Sequence, residues 1–176
     1  MADIPKYALL ENERRFLVAE APDLTGAPVR RIEDVYLDAG RLRLRKVIHF
    51  DGHAPEFKLC KKYGSADPVS APIVNIYLTE AEHAALAAAL PGRPLAKRRY
   101  TVAQAGRAFS LDVFEGDLAG LMICEAEAPT PESIRTLAFP PWATRDVTGD
   151  PFFTGGHLAT LSASQLAARL AETQPV

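Results

Sequence analysis

The sequence predicts an α+β protein in which antiparallel β-strands predominate. Eight short stretches are rich in β-branched and aromatic residues and are bounded by Gly, Pro, Asp or Asn, as is typical of strands. An Asp51-Gly52 turn signal separates two of these stretches, so we expect them to pair as a hairpin. Three helical segments with readable start signals interrupt the pattern.

The elements follow from these signals in chain order. The predicted strands cover residues 7–18, 29–38, 41–50, 55–64, 70–78, 97–103, 107–116 and 120–128. Thr79 with Glu82 forms a capping box that predicts a helix ending before Pro91-Gly92, and Ser162 with Gln165 predicts a second helix near the C terminus. Between them, Thr130 followed by proline predicts a helix over 131–139.

Composition limits the function classes. With 176 residues and 48% hydrophobic content, the chain suits one well-buried core, and we predict a single domain over 1–176. A formal charge of -2 gives no global attraction to nucleic acid or to an anionic membrane. Neither a membrane-spanning run nor a secretory signal is evident, which predicts a cytoplasmic protein without membrane or nucleic-acid partners.

Charged residues alternate along several predicted strands. Arg43 and Arg45 share one face of their strand with Arg41, while leucines occupy the other face. Glu11, Glu13 and Arg15 lie side by side in the same way, since successive side chains of a strand point to opposite faces. Such a face contacts either solvent or the interior of a barrel.

Two charged sets emerge from this alternation. The acidic set is Glu11, Glu13, Asp112, Glu125 and Glu127, and the basic set is Arg15, Arg43, Arg45, Lys61, Lys97 and Arg99. Hard divalent cations such as Mg²⁺ bind carboxylate oxygens together with substrate phosphates, and arginine and lysine bind the remaining phosphate oxygens. The two sets together are therefore typical of a site for a metal-polyphosphate complex, whereas each strand alone is compatible with a solvated sheet face.

The order of these motifs resembles the CYTH domain of the triphosphate tunnel metalloenzymes. The family's opening Glu-x-Glu-x-Lys motif corresponds to "ENERR", and its Arg-x-Arg strand corresponds to "RLRLR". The resemblance continues through "EFKLCK", "KRRY", "LDVFEGDLAGL", "CEAE" and "PPWATRDVTGD", so that it covers nearly the whole chain.

The resemblance implies an antiparallel β-barrel that forms a central tunnel with flanking helices, and a metal-dependent hydrolase of triphosphates. Mg²⁺ or Mn²⁺ is the implied cofactor, and a small triphosphate, inorganic or attached to a nucleoside or thiamine, is the implied substrate. The implied metal ligands are Glu11, Glu13, Asp112, Glu125 and Glu127. The implied phosphate-binding residues are Arg15, Arg43, Arg45, Lys61, Lys97 and Arg99. Glu13, Glu125 and Glu127 are the implied catalytic residues.

The sequence departs from the family pattern at three places. Arg15 replaces the signature lysine and keeps the charge without being able to accept a proton. Ala71 and Ile73 stand where the family has a further Glu-x-Glu strand, and Phe153 and Gly155 replace a Tyr-x-Asn element near the C terminus. These departures leave two alternatives open: a catalytically weak protein that binds nucleotide or polyphosphate as a sensor, and a class IV-type adenylyl cyclase. A homodimer formed through the outer barrel face is also possible.

Overall fold

The computed structural model describes residues 4–38 and 40–173. Within these residues the strands are β1 Leu9–Leu17, β2 Val29–Leu37, β3 Leu42–His49, β4 Glu56–Lys62, β5 Ser70–Leu78, β6 Gly92–Gln104, β7 Arg107–Phe114, β8 Met122–Glu127 and β9 Arg145–Asp146. Each of the first eight overlaps one of the eight stretches predicted from the sequence, but β6 begins at Gly92, five residues before the predicted 97–103.

The first eight strands close into an antiparallel barrel. Their order is β5-β4-β3-β2-β6-β7-β8-β1, and pairing of β1 with β5 closes the ring. The hairpin predicted at Asp51-Gly52 joins β3 to β4, and Gly52 has a φ of 91°, the left-handed conformation that this turn requires. The short strand β9 pairs with the end of β1 beyond β5. The predicted barrel with flanking helices is thus confirmed.

The helices lie outside the ring, and three of the four among the described residues begin at the predicted caps, whereas the short helix at Gly155 was not predicted. They are α1 Glu80–Ala89, α2 Pro131–Arg135, α3 Gly155–Leu158 and α4 Ala163–Thr173. Capping boxes at Thr79 and Thr130 start α1 and α2. Helix α2 is shorter than the predicted 131–139, because the chain leaves the helix at Thr136 so that Leu137 packs in the core. No helix in the described ranges is long and apolar enough to cross a membrane.

Two apolar clusters stabilise the barrel, one outside it and one inside it. One lies on the outer surface under α2 and includes Phe16, Leu111 and Cys124, which point away from the barrel axis. The other fills one end of the barrel interior, where inward-facing residues of four strands meet Phe153 and Leu158 of the C-terminal segment. Those inward-facing residues are Leu17, Leu95, Phe114 and Ile123. The charged side chains lie on the inner face beyond this apolar end.

Candidate active site

The barrel interior contains a cavity of about 730 Å³. Alternation along the strands brings residues from both charged sets into its lining, as the sequence predicts. The predicted site residues that line it are Glu11, Glu13, Arg15, Arg43, Arg45, Lys97, Arg99, Glu125 and Glu127. A through-going tunnel remains a prediction.

A buried aspartate holds one pair of basic residues on β6. Arg99 donates from Nε and Nη2 to the two carboxylate oxygens of Asp112 on β7, at 2.6 and 2.7 Å, and Lys97 forms a further short contact with the same carboxylate. Burial lowers the pKa of Lys97 despite this partner, and the neighbouring Arg99 lowers that pKa further. The pair is therefore fixed in position at the cavity wall.

Asp34 plays the same role for the arginines of β3. Arg45 donates from Nε and Nη2 to Asp34 at 2.7 and 2.8 Å, and the Nε atom of Arg43 lies 3.7 Å from the same carboxylate. Burial alone would raise the pKa of Asp34, but Arg45 and Arg43 outweigh burial and hold it below its ordinary value. Tyr36, on the same face of β2, accepts a hydrogen bond from Arg43.

The carboxylates form the facing wall on β1 and β8. Glu13 is the direct cross-strand neighbour of Glu127, and Arg15 is the neighbour of Glu125. Burial and repulsion from Glu125 raise the pKa of Glu13. Burial and repulsion from Glu11 likewise raise the pKa of Glu127. Several negative charges thus lie close together in a partly buried region, and a bound cation would stabilise such an arrangement.

Glu125 differs from the other carboxylates because it faces the basic wall. Arg99 forms a short salt bridge with it in addition to the bridge with Asp112. Burial alone would raise the pKa of Glu125, but Arg99 and Lys97 hold it well below its usual range. Glu125 therefore stays ionised and links the acidic and basic walls.

The structure corrects the predicted position of Lys61. Lys61 is exposed and points away from the cavity, whereas Lys62 lines it. The Nζ atom of Lys62 lies 2.7 Å from Glu11 and 2.6 Å from Glu13, between the two carboxylates. The reason is strand alternation: Lys61 shares the outer face of β4 with Phe57, which packs on His83 of α1.

The structure places Asp112, one of the predicted metal ligands, behind the cavity wall. Its side chain is fully buried, and both carboxylate oxygens are engaged by Lys97 and Arg99. Asp112 does not line the cavity. In this position Asp112 holds the Lys97 and Arg99 side chains at the cavity wall.

Arg15 has a different environment from the other basic residues. Its guanidinium donates to the backbone carbonyls of Phe153 at 2.7 Å and Thr148 at 3.0 Å, which ties β1 to the C-terminal segment. Its buried Nε atom has no hydrogen-bond partner among the described residues, and neither has that of Arg43. Each Nε atom lies near a carboxylate without a hydrogen bond to it, at 4.0 Å from Glu13 for Arg15 and 3.7 Å from Asp34 for Arg43. Buried donors without a hydrogen bond are costly, and both residues line the cavity, so an anion there would satisfy them.

The residues that replace the family's second Glu-x-Glu motif also face the cavity. Ala71 and Ile73 lie opposite Glu11 and Leu9, respectively, in the β1–β5 ladder. This part of the wall is consequently apolar.

The acidic wall fits a hard divalent cation in donor chemistry, although its donors are not gathered around one point. Among residues 4–38 and 40–173, no group of three or more His, Cys, Asp or Glu is arranged to hold a metal ion. Lys62 places an ammonium group between Glu11 and Glu13, where two carboxylates already share one positive charge. Glu11, Glu13 and Glu127 are therefore the residues whose chemistry suits Mg²⁺ or Mn²⁺.

Sequence reasoning missed Asp34, Tyr36 and Lys62. A signal was available for each of them. Asp34 and Tyr36 alternate in "IEDVYL" with Ile32 on the inward-facing side, and Lys62 has the same parity as Cys60, which lines the cavity. Their contacts depend on cross-strand neighbours, which a single strand does not reveal.

The fold and the site define a class of protein: a closed antiparallel β-barrel whose internal cavity has one acidic and one basic wall. An inorganic triphosphatase of Nitrosomonas europaea is 32% identical over 158 residues, which make up 86% of this chain and 97% of that protein. No protein-family model matches the chain. The chain belongs to the triphosphate tunnel metalloenzymes, the CYTH family, as the sequence motifs predict.

Solved structures agree with this assignment. The crystal structure of the inorganic triphosphatase NE1496 superposes with a TM-score of 0.57 at 28% identity, covering 85% of this chain and 93% of that one. A putative adenylate cyclase from Bacillus halodurans shares the fold, with a TM-score of 0.51 at 15% identity, covering 73% of this chain and 86% of that one. The family predicted from the sequence motifs is thus confirmed.

Proposed function

We propose that this chain is a metal-dependent triphosphatase whose substrate is inorganic tripolyphosphate or a closely related triphosphate. The observation that carries the proposal is the placement of carboxylates on β1 and β8 opposite fixed cations on β3 and β6 within one cavity. The name of the Nitrosomonas europaea relative supports the substrate class.

The basic wall binds the phosphate chain. Arg43, Arg45 and Arg99 provide planar guanidinium groups suited to phosphate oxygens, and Lys97 adds a point charge. Asp34 and Asp112 hold these side chains in position before substrate arrives. Phosphoryl transfer depends mainly on positioning and on stabilisation of charge, so cations that need no rearrangement lower the barrier most effectively.

The acidic wall holds the divalent ion. Glu11, Glu13 and Glu127 would bind Mg²⁺ or Mn²⁺, with Lys62 as their counter-ion in its absence. When bound, the ion would neutralise charge on the phosphate oxygens and favour activation of a water molecule. Glu125 remains ionised beside Arg99, so it accepts hydrogen bonds and orients a nearby water molecule without donating a proton.

The decisive experiment measures phosphate release from tripolyphosphate, ATP and thiamine triphosphate, each with Mg²⁺, Mn²⁺ or EDTA. We expect turnover that requires the metal and that falls by at least about 100-fold in the double variant Glu125→Ala, Glu127→Ala, because charge-stabilising groups have effects of that size. The matched control is Glu20→Ala, Glu132→Ala, which removes two exposed glutamates outside the barrel. Unchanged turnover in the first double variant would contradict the proposal.

A polyphosphate sensor with little catalysis is the second candidate. The observation that favours it is the apolar pair Ala71 and Ile73 in the cavity wall, where further carboxylates would support metal binding. Tight, metal-assisted binding of tripolyphosphate without phosphate release would establish this function in place of hydrolysis.

A further inference from the structure

Arg30 is a basic residue on the inner face of the barrel wall that neither charged set includes. It lies next to Arg99, which lines the 730 Å³ cavity, but it is not itself among the lining residues. It lies on β2 with the same parity as Asp34 and Tyr36, and so faces inward. Its cross-strand neighbours are Arg99 on β6 and His49 on β3. Six residues of strand separate it from Tyr36, which corresponds to roughly 20 Å. Arg30 therefore lies on the far side of the basic wall from the C-terminal segment.

Arg30 is partly buried but lacks a counter-ion. Its guanidinium forms no hydrogen bond or ion pair with any residue in 4–38 or 40–173. The carboxylates around it already have partners: Glu56 pairs with Lys58 at 2.8 Å and with His49 at 3.1 Å, and Asp112 pairs with Arg99. The unbalanced charge at this end of the interior is consequently positive.

Neighbouring cations add to this imbalance. Burial and repulsion from Arg99 and Arg45 lower the pKa of Arg30, and Glu56 offsets this only in part. An arginine remains charged under these conditions, so the repulsion persists in the folded protein. A bound anion would relieve it.

We propose that Arg30, together with Arg99, forms a further phosphate-binding subsite at the far end of the basic wall. This inference rests on the proposed function, because Arg99 would bind the phosphate chain of the substrate. Arg30 would then contact one further phosphate group next to the one that Arg99 binds. The ligand is either the additional phosphate of a polyphosphate longer than tripolyphosphate or an orthophosphate released by hydrolysis.

The neighbouring arginine offers a matched control. Arg31 lies on the outer face of β2, where it pairs with Glu115 at 3.0 Å and also contacts Glu33. Arg30→Gln and Arg31→Gln therefore remove the same charge from adjacent positions on opposite sides of the barrel wall. Arg30→Lys keeps a positive charge inside, and thermal unfolding of every variant verifies that it is folded.

The test is equilibrium binding of orthophosphate, tripolyphosphate and tetrapolyphosphate in EDTA, measured by titration calorimetry and by phosphorus NMR. If the subsite takes the end of a longer chain, tetrapolyphosphate binds the native protein about tenfold more tightly than tripolyphosphate. Arg30→Gln abolishes that preference, Arg30→Lys restores part of it, and Arg31→Gln leaves it intact.

If the subsite takes released product, Arg30→Gln instead weakens orthophosphate binding about tenfold, and the tetrapolyphosphate preference is absent from every variant. If Arg30→Gln binds each of the three ligands as tightly as the native protein does, the inference is wrong, while the proposed triphosphatase function is unaffected. Failure of the native protein both to bind and to hydrolyse tripolyphosphate would overturn both.

Discussion

Arg45 and Asp34 form a two-pronged salt bridge inside the barrel, with Nε–Oδ1 and Nη2–Oδ2 distances of 2.7 and 2.8 Å. The aspartate is fully buried and also lies near Arg43. The bridge fixes the guanidinium of Arg45 at the cavity wall, and it makes the stability of the barrel depend on Asp34, which does not line the cavity.

Asp34→Asn leaves Arg45 and Arg43 as buried charges without a counter-ion. We expect the free energy of unfolding to fall by about 3–5 kcal/mol, as when one partner of a buried ion pair is removed. Urea unfolding followed by circular dichroism measures the change. Asp117→Asn, at an exposed aspartate, is the control and should stay within about 0.5 kcal/mol of the native protein. Equal stabilities for the two variants would show that the bridge contributes nothing.

Lys62 and Lys61 provide a second matched pair. Lys62→Ala removes the cation between Glu11 and Glu13, so we expect tripolyphosphate affinity in EDTA to fall about tenfold as the cavity becomes more negative. Lys61→Ala changes an exposed residue and should leave affinity unchanged. Titration calorimetry measures both affinities. A larger loss of affinity in Lys61→Ala than in Lys62→Ala would contradict the conclusion that Lys62 faces the cavity and Lys61 faces outward.

Glu127 and its cross-strand neighbour Glu13 both lie among like charges, chiefly Glu11 and Glu125, which makes the stability of the protein depend on pH. Both pKa values are raised, so the favourable contribution of the protonated forms is complete below the unfolded pKa and is lost as pH rises through the folded pKa. Glu127→Gln removes one of these like negative charges. Without metal it should stabilise the protein at pH 8 by up to about 1 kcal/mol, or roughly 2–4 °C in Tm.

The stabilisation by Glu127→Gln should shrink near pH 4.5, the ordinary pKa of a glutamate, where the native pair carries less charge. Calorimetric Tm values across this range, with Glu20→Gln as an exposed control, provide the measurement. A gain that is the same at both pH values would exclude charge repulsion as its cause.

Gly155 lies against Tyr36 at the end of the barrel. A Cβ atom added there would lie 1.8 Å from the tyrosine hydroxyl oxygen, whereas at Gly156 the nearest atom would be 3.7 Å away. Alanine normally favours a helix over glycine, yet we expect Gly155→Ala to destabilise the protein by about 1–3 kcal/mol through overpacking. Gly156→Ala should have little effect.

A second change separates the steric cause from other effects of Gly155→Ala. Tyr36→Ala removes the atoms in conflict, so the double variant should lose less stability than the sum of the two single variants. Thermal unfolding of the four proteins gives this coupling directly, and strict additivity would contradict a clash between the two residues.

The sequence by itself determined the eight barrel strands, the residues that share a face within a strand and, apart from Lys61, the residues of the two charged sets. Alternation is a local property: Arg43 and Arg45 must share a face of β3 whatever surrounds it, and the leucines between them identify the face that packs outward. Motif order then indicated the family. For the same reason, the helix starts at Thr79 and Thr130 were predictable, since a capping box involves only four consecutive residues.

Only the tertiary structure decided which charges neutralise one another. The sequence places Asp112 in the acidic set, and the register of β6 against β7 then sets it beside Arg99, where Lys97 also reaches it. Lys62, rather than Lys61, meets Glu11 because barrel closure brings β4 and β5 beside β1. Electrostatic energy depends on distances between strands that are far apart in the chain, and those distances arise only when the barrel closes.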